Sequence, residues 1–355
     1  VRAGAGSSVS LQSGKLKGDV EADGGTVSLR EAKTEGNAAA AAGGSINLTD
    51  GSVSGAAMAD NGTIETENTN VVNGASALNG GKLKLRNGKI SGGVKTDAGS
   101  AADVVMDRAG NALKGDVSGE GQTDITLSNG GNWDGNSAGS GKTQVKVGNG
   151  STWAGTSMNS NTDVDLEGKW KQTGNSKVRK LISNNGVLDK TASESGNTDI
   201  GKLSGRLSLI YAHDKTNPTK VLGGSTFVAT ADAGSTVDMI TDNAGLDTNS
   251  DKAADKNKVS EVLNAMAGKL QYIGYQNGER NLKGKLRIAE GLTSSSAGLK
   301  TEALSFKRDG RGYFDYTPAK PNKPEIETGD YETSIMSSTR SALTSSILVW
   351  RNDMN

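Results

Sequence analysis

The sequence predicts an all-β fold: a right-handed parallel β-helix followed by a C-terminal mixed β capping module with short helices. Three observations carry that expectation. A strand-like triplet recurs about every 18 to 22 residues. Glycine, asparagine and aspartate punctuate the copies. The composition is too poor in large side chains to fill a wide core: 50 of the 355 residues are glycine, aromatics make up 4% and hydrophobic residues 33%, against roughly 45–50% in ordinary globular domains. Val, Ile and Leu still return at short intervals, so the chain is not of the disordered type. A thin solenoid, in which each repeat buries a narrow apolar strip, reconciles the two facts.

The triplet reads apolar, polar, apolar: Val9-Ser10-Leu11, Val27-Ser28-Leu29, Ile46-Asn47-Leu48, Leu83-Lys84-Leu85, Ile125-Thr126-Leu127, Val145-Lys146-Val147 and Val164-Asp165-Leu166. That is the period of a strand with one buried face. A weaker copy at Ile64-Glu65-Thr66 puts a threonine in the second apolar place. Gly24-Gly25, Gly43-Gly44 and Gly80-Gly81 precede copies and read as corners where positive φ is tolerated. After each triplet comes a second apolar residue and then a glycine, as in Val53-Ser54-Gly55, Ile90-Ser91-Gly92, Leu113-Lys114-Gly115, Trp133-Asp134-Gly135 and Trp153-Ala154-Gly155. Each repeat therefore holds at least two short strands. Stacked rung on rung, they predict roughly a dozen rungs and a length of order 50 Å. Left-handed hexapeptide and nonapeptide calcium helices fit less well, because the period is neither six nor nine and no G-G-x-G-x-D series occurs.

Beyond about Lys177 the spacing loosens, with strands still readable at Leu203 to Tyr211, Ser225 to Ala229 and Ser235 to Ile240. Val259, Val262, Leu263, Met266 and Leu270 then fall at helical spacing. Further strands are expected at Lys283 to Ile288, Ala303 to Phe306 and Gly312 to Tyr316. Pro318, Pro321 and Pro324 mark an extended linker, and Tyr331 to Trp350 returns to a helix-compatible pattern. The expected organisation is a β-helix over 1–240, a capping module over 241–317, a linker over 318–330 and a helix over 331–355.

Composition also bounds function. The 40 basic and 40 acidic residues cancel, which disfavours nucleic acid as a partner; Lys82, Lys84, Arg86 and Lys89 read as a solvated strand face. There is no cysteine, which fits a chain that crosses an outer membrane unfolded and fits many cytosolic proteins too. No apolar run approaches a membrane span and no signal peptide opens the sequence, so an exported chain is expected to have lost its targeting segment.

Catalytic motifs are weak. His213 is the single histidine, and Asp214 lies beside it in sequence rather than across a cleft. Gly139-Ser140-Gly141-Lys142-Thr143 mimics a phosphate loop, but position 136 is asparagine and Gln144-Val145-Lys146-Val147 continues as a strand. Asp163, Asp165 and Glu167 alternate on one strand face, either as a calcium site or as a solvated polar edge. No metal, catalytic residue or cofactor is assigned. Trp133, Trp153 and Trp170 recur near the repeat spacing. They read either as ligand-binding residues on an exposed stripe or as core residues, since Val53, Ile90 and Leu113 hold the same repeat position.

The block Leu203-Ser204-Gly205 through His213-Asp214 and Gly223-Gly224, then Val262-Leu263-Asn264-Ala265-Met266-Ala267-Gly268-Lys269-Leu270 running on to Ile288 and Ser296, resembles the autochaperone-like end of passenger domains. With the glycine-rich repeats, it makes nearly the whole chain similar to the type Va autotransporters, the pertactin-like and AIDA-like group. The segment Ser334 to Asn355 resembles the helix that leads into the translocator barrel, and the resemblance implies a barrel lying outside these residues. The resemblance implies a non-enzymatic passenger exported across the outer membrane to the bacterial cell surface. It implies adhesion or cell–cell self-association, as in aggregation and biofilm, with the chain itself on neighbouring cells or a host protein or glycan as partner. A glycan-acting β-helix enzyme and a structural stalk presenting another domain are the alternatives, because fold alone does not fix function.

Overall fold

A computed structural model describes residues 1–214, 216–217, 220–242, 256–272, 284–289, 305–308 and 313–317. Among the described residues the chain is nearly all β and forms a parallel β-solenoid of about 11 turns with one short helix. It divides into two units, Val1–Gly186 and Val187–Asn355.

In the first unit three parallel ladders run up the coil. The first begins with Ser8–Leu11, Thr26–Arg30 and Ser45–Thr49 and continues through Thr63–Glu67, Lys82–Arg86 and Ala101–Met106. Gln122–Leu127, Thr143–Val147, Thr162–Leu166 and Ser176–Asp189 complete it. Nine successive pairings join these ten strands. The second ladder runs from Gly14–Leu16 to Lys169–Gln172. The third was not foreseen: seven strands from Arg2–Ala3 to Val117–Gly119, extended by the bridges Val117↔Ser137 and Ser137↔Ser157.

Register in the first ladder follows the apolar triplets until rung Lys82–Arg86, where Leu83 and Leu85 oppose Ala102 and Val104. There a third inward residue, Met106, joins the strand. Ile125 consequently stacks on Val104, in line with Leu85, and Leu127 stacks on Met106. The later triplets thus sit one residue pair further along than the earlier ones. A slip of two is permitted because it leaves every side chain on its own face, whereas a slip of one would turn the core outward.

The glycine pairs before the first-ladder strands do two separate jobs. Gly24, Gly43 and Gly80 have φ of +70°, +80° and +83°, as expected of corners. Their partners do not. A Cβ on Gly81 would lie 1.9 Å from the carbonyl oxygen of Ala59, and one on Gly44 2.2 Å from that of Ala22; these positions are glycine because the rung below leaves no room.

Two other corners are built by side chains. Before each third-ladder strand, one residue per rung stacks in register: Asp19, Asn37, Ala56, Gly74, Gly93, Asp116, Asn136 and Thr156. Where that residue is Asp or Asn, its Oδ1 accepts the backbone N–H of the next member, 2.7 Å for Asp19 to Asn37 and 2.9 Å for Asn37 to Ala56. At the corner after the first ladder, Glu31, Asp50, Asn68 and Asn87 all take positive φ near 50–58°, a conformation for which Asn and Asp pay least among residues with a Cβ.

The core is narrow and graded. The inward column of the second ladder runs Thr34, Val53, Val71, Ile90, Leu113, Trp133, Trp153, Trp170 in register, and each is at most 1% exposed. The third ladder is lined by alanine, Ala38, Ala40, Ala57, Ala59 and Ala77 being fully buried.

In the second unit Thr198–Ile210 pairs in parallel with both Thr226–Ala231 and Thr236–Asp242. These continue to Leu270–Tyr272 and Leu286–Ala289. Tyr313–Thr317 then adds to Leu286–Ala289 and to Ser305–Arg308 in antiparallel fashion, which makes the module mixed. The helix Lys256–Ala267 buries Val262, Leu263 and Met266, and Leu270 follows in the next strand. The expected linker at 318–330 and the helix at 331–355 lie outside the described residues.

Candidate functional site

The three tryptophans stack on one another. Trp133 and Trp153 have ring centroids 4.7 Å apart with an interplanar angle of 2°, and Trp153 and Trp170 are 4.4 Å apart at 5°. Each indole Nε1–H donates to a carbonyl at the corner of the preceding rung: Trp133 to Gly115 at 3.0 Å, Trp153 to Gly135 at 2.9 Å and Trp170 to Gly155 at 3.0 Å. All three side chains are 0% exposed. A ligand-binding stripe at Trp133, Trp153 and Trp170 is thereby corrected: the rings present no face to solvent, because they occupy the inward column that Val53, Ile90 and Leu113 hold lower down.

The other singled-out residues are also placed. His213 is buried, with Nδ1 3.0 Å from Thr241 Oγ1. Asp163 pairs with Arg179, and no group of three metal-ligating side chains occurs among the described residues. Thr143 opens a strand and points inward, where its Oγ1 accepts a hydrogen bond from Asn159 Nδ2 at 3.3 Å, so the phosphate-loop mimic is a corner followed by strand.

The outer face of the first ladder is a regular surface ten strands long. Its middle column reads Ser10, Ser28, Asn47, Glu65, Lys84, Asp103, Asp124, Gln144, Asp163 and Lys180. The lower rungs show hydroxyls and an amide; the upper ones are mostly acidic, with opposite signs side by side only at Glu65–Lys84–Asp103 and Asp163–Lys180. Glu67 and Arg86 repeat the alternation in the next column. Lys84 Nζ meets Glu65 Oε1 at 2.5 Å and Arg86 Nη2 meets Asp103 Oδ2 at 3.3 Å. These pairs are about half exposed, so each contributes at most about 1 kcal/mol to folding.

One cluster escaped the sequence reading. Lys190, in the second unit, is 1% exposed. Its Nζ donates to Thr198 Oγ1 at 2.7 Å, to the Ser225 carbonyl at 3.2 Å and to Thr226 Oγ1 at 3.3 Å. The Tyr211 hydroxyl shares Thr226 Oγ1 at 3.3 Å. Burial, reinforced by the nearby Lys269 charge and only partly offset by Asp199, lowers the Lys190 amine to a pKa of about 7. Burial likewise raises the Tyr211 phenol above its ordinary value. Every acceptor around the amine is neutral, so its hydrogen bonds, without a counter-charge among them, offset only part of the desolvation of its charge. The only trace in the sequence is a lysine following Val187-Leu188-Asp189, a pattern common at strand ends.

Compared with known proteins, the chain matches no family model, and no curated protein matches it.

Proposed function

We propose that this chain is a surface passenger that acts without catalysis, exported to the outside of a bacterial cell, and that it mediates adhesion or self-association between cells. The observation that supports this reading most is the ten-strand outer face of the first ladder, on which polar and charged side chains repeat in register. Such a face suits many weak contacts spread along a length, each replacing water at little cost and together holding firmly. Rows of opposite sign, Glu65 and Glu67 beside Lys84 and Arg86, let a second copy displaced by a rung meet complementary charge.

The test is a display experiment. Cells carrying the chain on an outer-membrane barrel are expected to clump, while cells carrying the barrel alone are not. Added soluble chain should block the clumping and raised salt should weaken it. Absence of clumping would overturn self-association and leave attachment to a host surface as the form of adhesion to examine.

A further inference from the structure

The stacked corner residues before the third ladder form a capping column with a gap. Below it, Asp19 and Asn37 each supply an Oδ1 to the backbone N–H of the next rung. Above it, Asp116 Oδ1 accepts from the N–H of Asn136 at 2.9 Å, and Asn136 Oδ1 from the N–H of Thr156 at 2.9 Å. Between them stand Ala56, Gly74 and Gly93, which have no side-chain acceptor. The N–H of Gly93 goes instead to the Lys114 carbonyl at 3.0 Å, while those of Gly74 and Asp116 donate to no acceptor among the described residues. Both residues line an open groove, so water or a ligand's acceptor can meet these donors.

A groove of about 580 Å³ lies over this gap, with Ala56, Gly74, Ser76, Lys95, Asp116 and Ser118 in its lining. These residues come from four consecutive rungs, so the groove extends roughly 14 Å along the coil axis. Ser76, Lys95 and Ser118 are register partners and stand in a row along it. One ammonium and one carboxylate, Lys95 and Asp116, give the lining no net charge. A polyanion would meet Asp116, and a polycation Lys95; a neutral chain rich in hydroxyls meets donors and acceptors in turn.

The missing group is chemically specific. The side chain of Asn37 or Asn136 ends in an acetamide, and an acetamido sugar carries the same group on a hydroxylated ring. In an extended β-1,4-linked chain alternate rings face the same way, so like-facing acetamido groups recur at about two rungs, the separation of the Gly74 and Asp116 N–H groups in the column. We propose that this groove binds a linear neutral glycan of N-acetylated hexosamines, with acetamido carbonyls taking the acceptor places that asparagine fills on the flanking rungs. The inference goes beyond the adhesive reading and does not depend on it, since it concerns a different ladder and is tested on the purified chain.

The experiment is a calorimetric titration with the β-1,4-linked N-acetylglucosamine tetramer, its monomer, the deacetylated tetramer and cellotetraose. The acetylated tetramer is expected to bind, and at least about tenfold more tightly than each of the other three, the factor that one lost hydrogen bond accounts for. Ala56→Asn extends the capping column into the gap, so it should weaken tetramer binding by a similar factor while the unfolding temperature stays level or rises. Lys95→Ala, at an exposed site, should weaken binding with unfolding unchanged and serves if the first variant misfolds. Failure of the acetylated tetramer to bind overturns the proposal. So does equal binding of cellotetraose or of the monomer, or undiminished binding in both variants.

Discussion

Within the first unit, the rungs below about Gly93 and those above it reach the same end by different means. The lower rungs are built from small, dry parts: Val53 and Val71 in the second ladder with Ala57, Ala59, Ala75 and Ala77 in the third, all at most 5% exposed. In the upper rungs the second ladder carries Trp133, Trp153 and Trp170, while Gly119, Ser137 and Ser157 replace alanine and valine in the third. The third ladder shrinks there from strands to single bridges. Buried polar side chains occur lower down too, as Thr34, Thr66 and Thr69, but they are denser beside the indoles. Ser137 Oγ lies 2.9 Å from Thr162 Oγ1, and Asn159 Nδ2 donates to the Gly141 carbonyl at 2.6 Å. Large indoles on one ladder thus accompany small residues on another, as dense packing of a narrow core requires.

The sharpest way to break that comparison is Trp153→Ala. The middle indole loses both stacking partners and its bond to Gly135, and the serines facing the same core are too small to refill the space. A loss of about 3–5 kcal/mol is expected in denaturant unfolding, against a clearly smaller loss for Val71→Ala in the same column. Equal losses would refute the idea that the upper rungs depend on the stack.

The second unit extends the question to a buried charge. The Lys190 amine titrates near 7 when folded but at an ordinary 10.5 when unfolded. Between those values the unfolded chain holds a proton that the folded one has released, so stability rises with pH across that window. As pH falls to 7 and below, the full penalty is present. Lys190→Met should therefore stabilise the second unit by about 1–4 kcal/mol at pH 6 and flatten its pH dependence between 7 and 10, with hydrogen exchange along Thr198–Ile210 as the readout. A variant less stable at pH 6 would mean that the three hydrogen bonds outweigh desolvation.

Two smaller changes probe wet against dry. Asn159→Ala in the upper rungs leaves the Gly141 carbonyl and the N–H of Asn161 without their partner and should cost about 1–3 kcal/mol. In the lower rungs the opposite sign is expected. Thr66 is 3% exposed, its Oγ1 has no hydrogen-bond partner, and it sits between Leu48 and Leu85. Thr66→Val should raise stability by about 1 kcal/mol, measured as a shift in the unfolding midpoint.

Much of this was legible in the residues. The triplets marked eight of the first ladder's ten strands, all but Ala101–Met106 and Ser176–Asp189, and the run Val53, Ile90, Leu113, Trp133 and Trp153 marked one repeat position, which is the inward column of the second. The helix at Lys256–Ala267 was legible from its apolar spacing. The third ladder was hidden because its inward residues are alanine, as in Ala38–Ala41 and Ala57–Asp60; alanine has little strand preference and gives no apolar contrast to alternate against. The two-residue step at Ala101–Met106 was hidden for the reason that permits it, since period-2 patterns are blind to slips of two. Lys190 and the gap at Ala56, Gly74 and Gly93 were illegible because each is defined by what adjacent rungs supply, which only the register reveals.

The tryptophan stack has a spectroscopic consequence. Three of the chain's four tryptophans lie face to face within van der Waals contact, so their transition dipoles couple. The folded upper rungs should carry an exciton couplet in circular dichroism and a quenched emission that isolated indoles lack. The signal depends on the spacing between three successive rungs and vanishes when that spacing opens. The coil thus contains an intrinsic optical gauge, sensitive to stretching or melting of the segment from Trp133 to Trp170 and requiring no added label.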